Sequence, residues 1–201
     1  MGWNFYLVAF FNTVKYGKYV GTDVIPKVIQ KSKAIAHFFS GDDKETSFYL
    51  LPSERLDKTY SFGEKYANYF DVIFFSPPYF SLEIYPGENQ STINFPEYED
   101  WLRGYWEETI RLCSKCIKRS GILGYVCGDY KDEKWNLVSF TDDLKRIALK
   151  YFDLETEMEI MWNGVKTTSA ARKKIRKSRK FISFPNKGVK RYLSSPNFFI
   201  L

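Results

Sequence analysis

The sequence predicts an α/β domain built on a mostly parallel sheet, and three observations carry that prediction. Strand-like and helix-like segments alternate up to about residue 151, the order that a parallel sheet with crossover helices requires. Residues 70–75 (FDVIFF) form a nearly continuous apolar run that stops at Pro77-Pro78, as a strand buried on both faces does. The 201 residues, 44% apolar and 27% charged, suffice for one domain with a real core and fall short of two.

Each element follows from its own residues. Residues 5–14 are apolar and fit helix or strand equally by content. Residues 18–23 (KYVGTD) read as a short strand ending in an acid. Pro26 stands where the first turn of a helix tolerates it, and residues 26–39 continue that helix. After the polar break at 40–44, residues 46–51 (TSFYLL) read as a strand and 52–57 as a loop. Residues 60–69 form a polar-aromatic connection to the buried strand at 70–75. The stretch 81–96 carries Pro, Gly and Asn and exceeds the usual connection length, which marks a functional loop. Helical spacing over 98–116 places Trp101, Tyr105 and Trp106 in the core. A strand at 121–126, a helix at 142–151, a strand at 152–162 and a closing strand at 181–184 complete the order. The part beyond residue 152 reads as an added antiparallel hairpin, and 198–201 as an apolar tail. The whole chain, 1–201, reads as a single domain with a basic loop inserted at 163–180.

Composition excludes several function classes. Three cysteines and one histidine rule out a disulfide scaffold and a serine-type triad, and their spacing fits no zinc finger, so no metal is expected. Cys113 and Cys116 form a C-x-x-C within a helical pattern and read as buried or partly buried thiols. No signal peptide is visible at residues 1–4, and the longest apolar run, 5–11, is far short of the ~20 residues that span a bilayer. The expectation is therefore a reducing, cytoplasmic setting with no membrane. Aromatic residues reach 19%, which favours a packed core and surfaces that stack on flat ligands. The net charge of +6 permits a polyanionic partner.

The strongest chemical signal is Ser76-Pro77-Pro78-Tyr79, directly after the buried strand. Ligands of open α/β sheets bind at the carboxyl ends of the strands. Two prolines fix the backbone there and leave carbonyls without local donors. A small hydroxyl, a stiff carbonyl and an aromatic ring can clamp a planar amine. A plain Pro-Pro turn with Tyr79 packed over the strand end is the alternative that local physics leaves open.

Residues 70–79 resemble motif IV, the (D/N/S)-P-P-(Y/F/W) signature, of S-adenosylmethionine-dependent amino-methyltransferases that act on DNA bases. The resemblance extends over about residues 1–129. Residues 80–90 (FSLEIYPGENQ) and 98–106 (YEDWLRGYW) are similar to the loop and helix that follow motif IV in phage and bacterial DNA methylases. Residues 17–26 resemble motif II, whose acid holds the ribose hydroxyls of the cofactor; Asp23 is the match, with Val24 beside it. Residues 51–57 (LPSERLD) resemble motif III, where Ser53, Glu54 or Asp57 would approach the cofactor's adenine amine. Residues 120–129 resemble motif V. Gly2 and Trp3 resemble the tail of a G-W-G type motif I, while the central strand that precedes that motif in the family is absent ahead of Gly2. The resemblance thus implies a class I methyltransferase-like (Rossmann-like) fold that lacks its first strand. That strand was removed, is supplied by a second chain, or has been rearranged.

The resemblance also implies a mechanism and a set of partners. Ser76 Oγ and the Pro77 carbonyl would accept hydrogen bonds from an exocyclic base amine, next to Pro78, and localise its lone pair. Tyr79 would stack on the extruded base. Ser76 would also border the S-adenosylmethionine cofactor. Serine at the first motif position points weakly to cytosine N4 over adenine N6. DNA is the implied partner, in a restriction-modification setting that could be phage-encoded. Lys166, Arg172, Lys173, Lys174, Arg176, Lys177, Arg179 and Lys180, eight bases with no acid between 166 and 180, would track phosphates. Glu83 and Glu88 lie in the loop after motif IV; Glu88 reads as a surface acid and Glu83 stays open. The rival reading is a catalytically inactive remnant that binds nucleic acid or scaffolds a complex; methylation of RNA or of a protein amine would use the same clamp.

Overall fold

The computed structural model describes residues 4–13, 16–39, 44–83, 87–132, 134–161, 178–185 and 198–201. In chain order these are helix α1 (Phe5–Thr13), strand β1 (Gly17–Asp23), α2 (Pro26–Phe39), β2 (Lys44–Leu50), the short helices α3 (Leu56–Tyr60) and α4 (Phe62–Lys65), and β3 (Phe70–Phe75). There follow α5 (Ser91–Asn94), α6 (Tyr98–Trp101), α7 (Glu108–Cys116), β4 (Ile117–Cys127), the small strands β5 (Tyr130–Lys131) and β6 (Leu137–Val138), α8 (Phe140–Ala148), β7 (Thr156–Met161), β8 (Ser178–Pro185) and β9 (Phe198–Ile200). A π-helical turn, Leu102–Glu107, joins α6 to α7, so residues 98–116 form the one helical run that their spacing predicts.

Seven strands form one sheet in the order β2-β1-β9-β3-β4-β8-β7. The first five are parallel; β8 runs antiparallel to both β4 and β7. The sheet is thus mostly parallel with an antiparallel hairpin at one edge, the expected class. Asp23, Leu50 and Phe75 end their strands at one and the same edge, because parallel strands share direction.

The centre of the sheet holds the principal correction. No strand precedes Gly17 among the described residues, yet the sheet is continuous. The segment read as an apolar tail is a parallel strand, β9, in the central place. On one side Tyr19, Val20 and Gly21 of β1 pair with Phe198, Phe199 and Ile200. On the other, Val72, Ile73 and Phe74 of β3 pair with the same three residues. A three-residue apolar run carries too little periodicity to distinguish a central strand from a loose end.

Side chains of β9 divide between the two faces of the sheet. Phe199 is fully buried, stacked on Phe70 at 5.1 Å and packed on Phe62 at 4.9 Å. Ile200 joins Leu7, Phe10 and Phe11 of α1 and Ile29 and Ala36 of α2 in a second cluster on the opposite face. The first face carries the larger core, closed by the run 98–116. Trp101 and Trp106 are fully buried there, and their indole N–H groups donate to Ser91 Oγ (2.9 Å) and the Leu144 carbonyl (3.0 Å). Gly104 is required at the π-helical turn, since a Cβ there would lie 2.1 Å from the Phe95 ring. Cys113, Cys116 and Cys127 are free, buried thiols, and burial pushes the latter two up to about 12, which removes them from nucleophilic chemistry.

Several boundaries move. The strand expected at 121–126 begins at Ile117, directly after α7. The strand expected from 152 begins at Thr156, because Phe152 turns into the core against Phe184. The β5–β6 hairpin, whose strands have two residues each, was not expected. No helix among the described residues is long and apolar enough to cross a membrane.

Phe199→Ala removes a fully buried aromatic ring from the sheet centre. The expected loss is on the order of 3–5 kcal/mol, read as a drop of about 10 °C in Tm by differential scanning calorimetry. An unchanged Tm would remove β9 from the centre of the sheet.

Candidate functional site

A cavity of about 770 Å³ opens at the carboxyl edge of the parallel strands. Its walls come from eight places in the sequence. Asn4 and Tyr6 enter from α1; Thr22 and Asp23 end β1; Val24, Ile25, Lys27, Val28 and Lys31 lead into and along α2. Leu51, Pro52 and Ser53 follow β2, while Phe75, Ser76 and Pro78 follow β3, with Val126 of β4 beside them. Glu83, Gln90, Ser91, Thr92 and Tyr105 close one side, and Leu201 stands directly after β9. Sequentially, β1 leads outward to β2 on one side and β3 to β4 on the other, so β9 occupies the point where strand order reverses. Open α/β sheets hold their ligands at that point.

The structure brings together Asp23, Val24, Ser53, Ser76 and Pro78 of the expected residues. Asp23 is half-buried, and one carboxylate oxygen accepts from the Ile25 backbone N–H at 2.9 Å, which fixes the acid at the strand end. Ser76 is exposed, and its Oγ donates to the Val126 carbonyl at 3.1 Å. Its oxygen lone pairs stay available to a donor. The Pro78 carbonyl accepts from Phe80 N–H (3.0 Å) and the Tyr79 carbonyl from Leu82 N–H (2.7 Å). The diproline corner therefore continues as a tight turn. Pro77 is buried, and among the described residues no hydrogen bond reaches its carbonyl.

Tyr79 is corrected. It is 6% exposed, stacked on Phe140 at 5.3 Å and 20° and met edge-on by Tyr130 at 6.2 Å. No ring fits between two rings already in contact, so Tyr79 is a core residue here and not an open plate. A Tyr and a Phe 61 residues apart gave no sequence signal of that stack.

Ser53 reaches the cavity, with its hydroxyl bonded to Thr109 Oγ1 at 2.8 Å. Glu54 beside it is 6% exposed, and among the described residues neither carboxylate oxygen has a hydrogen-bond partner. Burial pushes its carboxyl up to about 7. Asp57 is corrected away from the cavity: it binds Lys115 at 2.7 Å and the Gly63 N–H at 2.7 Å, and Lys115 holds its carboxyl below the usual range. Glu83 lines the cavity, and Glu88 is exposed. Gly2 and Trp3 lie outside the described residues, as do Lys166, Arg172, Lys173, Lys174, Arg176 and Lys177. Arg179 and Lys180 belong to β8 and not to a loop. Lys180 pairs with Glu157 at 2.7 Å, which corrects its reading as a cation held out for phosphate.

Sequence reasoning missed Asn4, Thr22, Lys27, Lys31, Gln90 and Leu201. Strand direction gathers Thr22 at the end of β1, Lys27 and Lys31 on the helix after it and Leu201 after β9; Asn4 and Gln90 come from the starts of α1 and α5 and carried no sequence signal. Tyr105, read as core, is 7% exposed and also borders the cavity.

No protein-family model matches this sequence. No curated protein matches it either. Solved structures do. One is a chain of the Haloferax volcanii complex between the Trm112 methyltransferase activator and a candidate methyltransferase, with a TM-score of 0.54 and 10% identity over 92% of this chain and 79% of that one. Another is the N-methyltransferase NodS from Bradyrhizobium japonicum in complex with S-adenosyl-L-homocysteine, with a TM-score of 0.50 and 14% identity over 87% and 79%. A third is TTHA0409 from Thermus thermophilus, a candidate DNA modification methylase, with a TM-score of 0.50 and 11% identity. The match to TTHA0409 covers 89% of this chain and 56% of that protein's length.

The fold is that of the class I methyltransferases. At these identities the likeness is one of fold.

Glu54, next to Ser53, gives the fold's stability a pH signature. A carboxyl whose folded pKa stands near 7, above an unfolded value of 4.5, holds its proton more tightly when folded. Stability therefore falls as pH rises from about 4.5 through about 7 and is level above that. Glu54→Gln should flatten this slope and raise stability at pH 8 by on the order of 2–3 kcal/mol, measured by urea unfolding across pH. An unchanged slope in the variant would assign the pH dependence to other groups.

Proposed function

We propose that this chain is an S-adenosylmethionine-dependent methyltransferase domain acting on the exocyclic amine of a DNA base, cytosine N4 before adenine N6. The observation that carries the reading is the cavity that gathers Asp23, Ser53, Ser76 and Pro78 at the carboxyl edge of the sheet. The residues fit the cofactor on their own chemistry. Asp23 supplies a fixed carboxylate at a strand end for ribose hydroxyls, and Val24 and Ile25 offer apolar surface for a purine. When bound, the cofactor supplies an electrophilic methyl group on a sulfonium.

The chain's own part is positioning and hydrogen bonding. Ser76 Oγ and the Pro77 carbonyl accept from the two amine hydrogens and return the amine lone pair from the ring to the nitrogen. Pro77 and Pro78 hold these acceptors rigidly, so ordering them on substrate binding costs little entropy. No protein nucleophile takes part, in keeping with three buried thiols. The amine is neutral at neutral pH, and its proton leaves to water or to a carboxylate after transfer.

One observation favours a second reading. Tyr79 is covered by Phe140, so an extruded base would need another stacking partner. A catalytically inactive chain that binds nucleic acid or scaffolds a complex accommodates that.

Calorimetric titration with S-adenosylmethionine and labelling of DNA with methyl-tritiated cofactor separate the readings. The expected result is micromolar binding and labelled DNA. Asp23→Ala should weaken cofactor binding about tenfold or more. Ser76→Ala should leave binding unchanged and lower the labelling rate by about 10–100-fold. No binding at millimolar cofactor, or binding without labelling, would select the second reading; labelling that survives Ser76→Ala would remove the clamp.

A further inference from the structure

We infer that the methyl-donor site is built from a strand–helix unit cut in two, with residues 198–201 supplying the strand and residues 4–13 the helix and its start. This rests on the reading of the cavity given above.

The geometry comes from independent contacts. Strand β9 is parallel to β1 and hydrogen-bonded to it. Helix α1 packs over β9, with Leu7, Phe10 and Phe11 in one cluster with Ile200. The chain then runs from α1 directly into β1. In space β9, α1 and β1 are therefore the three parts of a parallel β–α–β crossover, whose usual connectivity is strand, helix, strand. Only the link from strand to helix is missing: Leu201 and Asn4 both line the cavity, while the sequence joins them through the whole rest of the domain. Asn4 has a φ of +67° and its side chain accepts from buried Ser32 of α2, so the start of α1 is fixed in place.

The consequence concerns ligand binding. In an uninterrupted unit one backbone loop would cross from strand to helix beneath the ligand. Here Leu201 and Asn4, on two separate segments, both border the cavity. A ligand in the cavity touches both, and its binding energy acts to hold β9 between β1 and β3.

Reordering the chain tests this. Residues 186–201 are placed ahead of Met1, so that Leu201 leads into Met1, and the chain closes at Pro185; linkers of none, three and six glycines guard against strain at the new join. S-adenosyl-L-homocysteine is the probe, by calorimetry, with circular dichroism and Tm as readouts that need no ligand. The expected result is native circular dichroism, a Tm within about 5 °C of the natural order, and probe affinity equal to or up to about tenfold above it. In the natural order, the probe should slow amide exchange at 198–201 and at Val20 and Ile73 more than at 181–184. If no linker gives a folded chain, or the probe binds the natural order without slowing exchange at 198–201, the inference is wrong while the cavity reading stands. If the reordered chain folds with native Tm and neither order binds the probe, the split unit is real and the cavity reading is wrong.

Discussion

Everything in the sheet depends on the two ladders that hold β9. Strands β1 and β3 do not pair with one another; each pairs with Phe198–Ile200. Remove that segment and the sheet becomes two pieces, β2-β1 and β3-β4-β8-β7. Six residue pairings, with Phe199 on one face and Ile200 on the other, join them. Burial of these side chains, more than hydrogen bonding, makes the join favourable, because a backbone hydrogen bond exchanged with water contributes only about 1 kcal/mol net.

The candidate site inherits its position from the same join. Five parallel strands end at one edge, and the helices that follow them start there. An acid after β1, a hydroxyl after β3 and a second hydroxyl after β2 are far apart in sequence and share a cavity because their strands share a direction. The diproline corner adds rigidity where the chain leaves β3, and the Ser76 to Val126 bond ties that corner to the adjacent strand. Charge around the cavity is mixed, with Lys27 and Lys31 on one wall and Asp23 and Glu83 on others.

Much of this was legible in the residues. The run FDVIFF, the Pro26 helix start and the spacing of Trp101, Tyr105 and Trp106 encode local structure, and each formed as read. Asp23, Ser53 and Ser76 were named from the resemblance to motifs II, III and IV, and the three line one cavity. What could not be read is whatever depends on distant partners. Tyr79 looks like a free ring until Phe140 is known to lie on it. Asp57 looks like a ligand until Lys115 is known to reach it. Lys180 looks like a phosphate contact until Glu157 of the neighbouring strand takes it. Residues 198–200 look like an end because three residues have no period, and their place is set wholly by two strands more than a hundred residues upstream.

That arrangement has a bearing on how the protein is made. Synthesis reaches β1 and β3 more than a hundred residues before Phe198, so the two strand edges that β9 joins are made long before their partner. Nascent chains with open strand edges are prone to wrong pairing with their neighbours. Closure then requires contacts of very long sequence separation, the kind that form slowly. Of the seven strands in the sheet, the one synthesised after all the others is thus the one that covers both open edges.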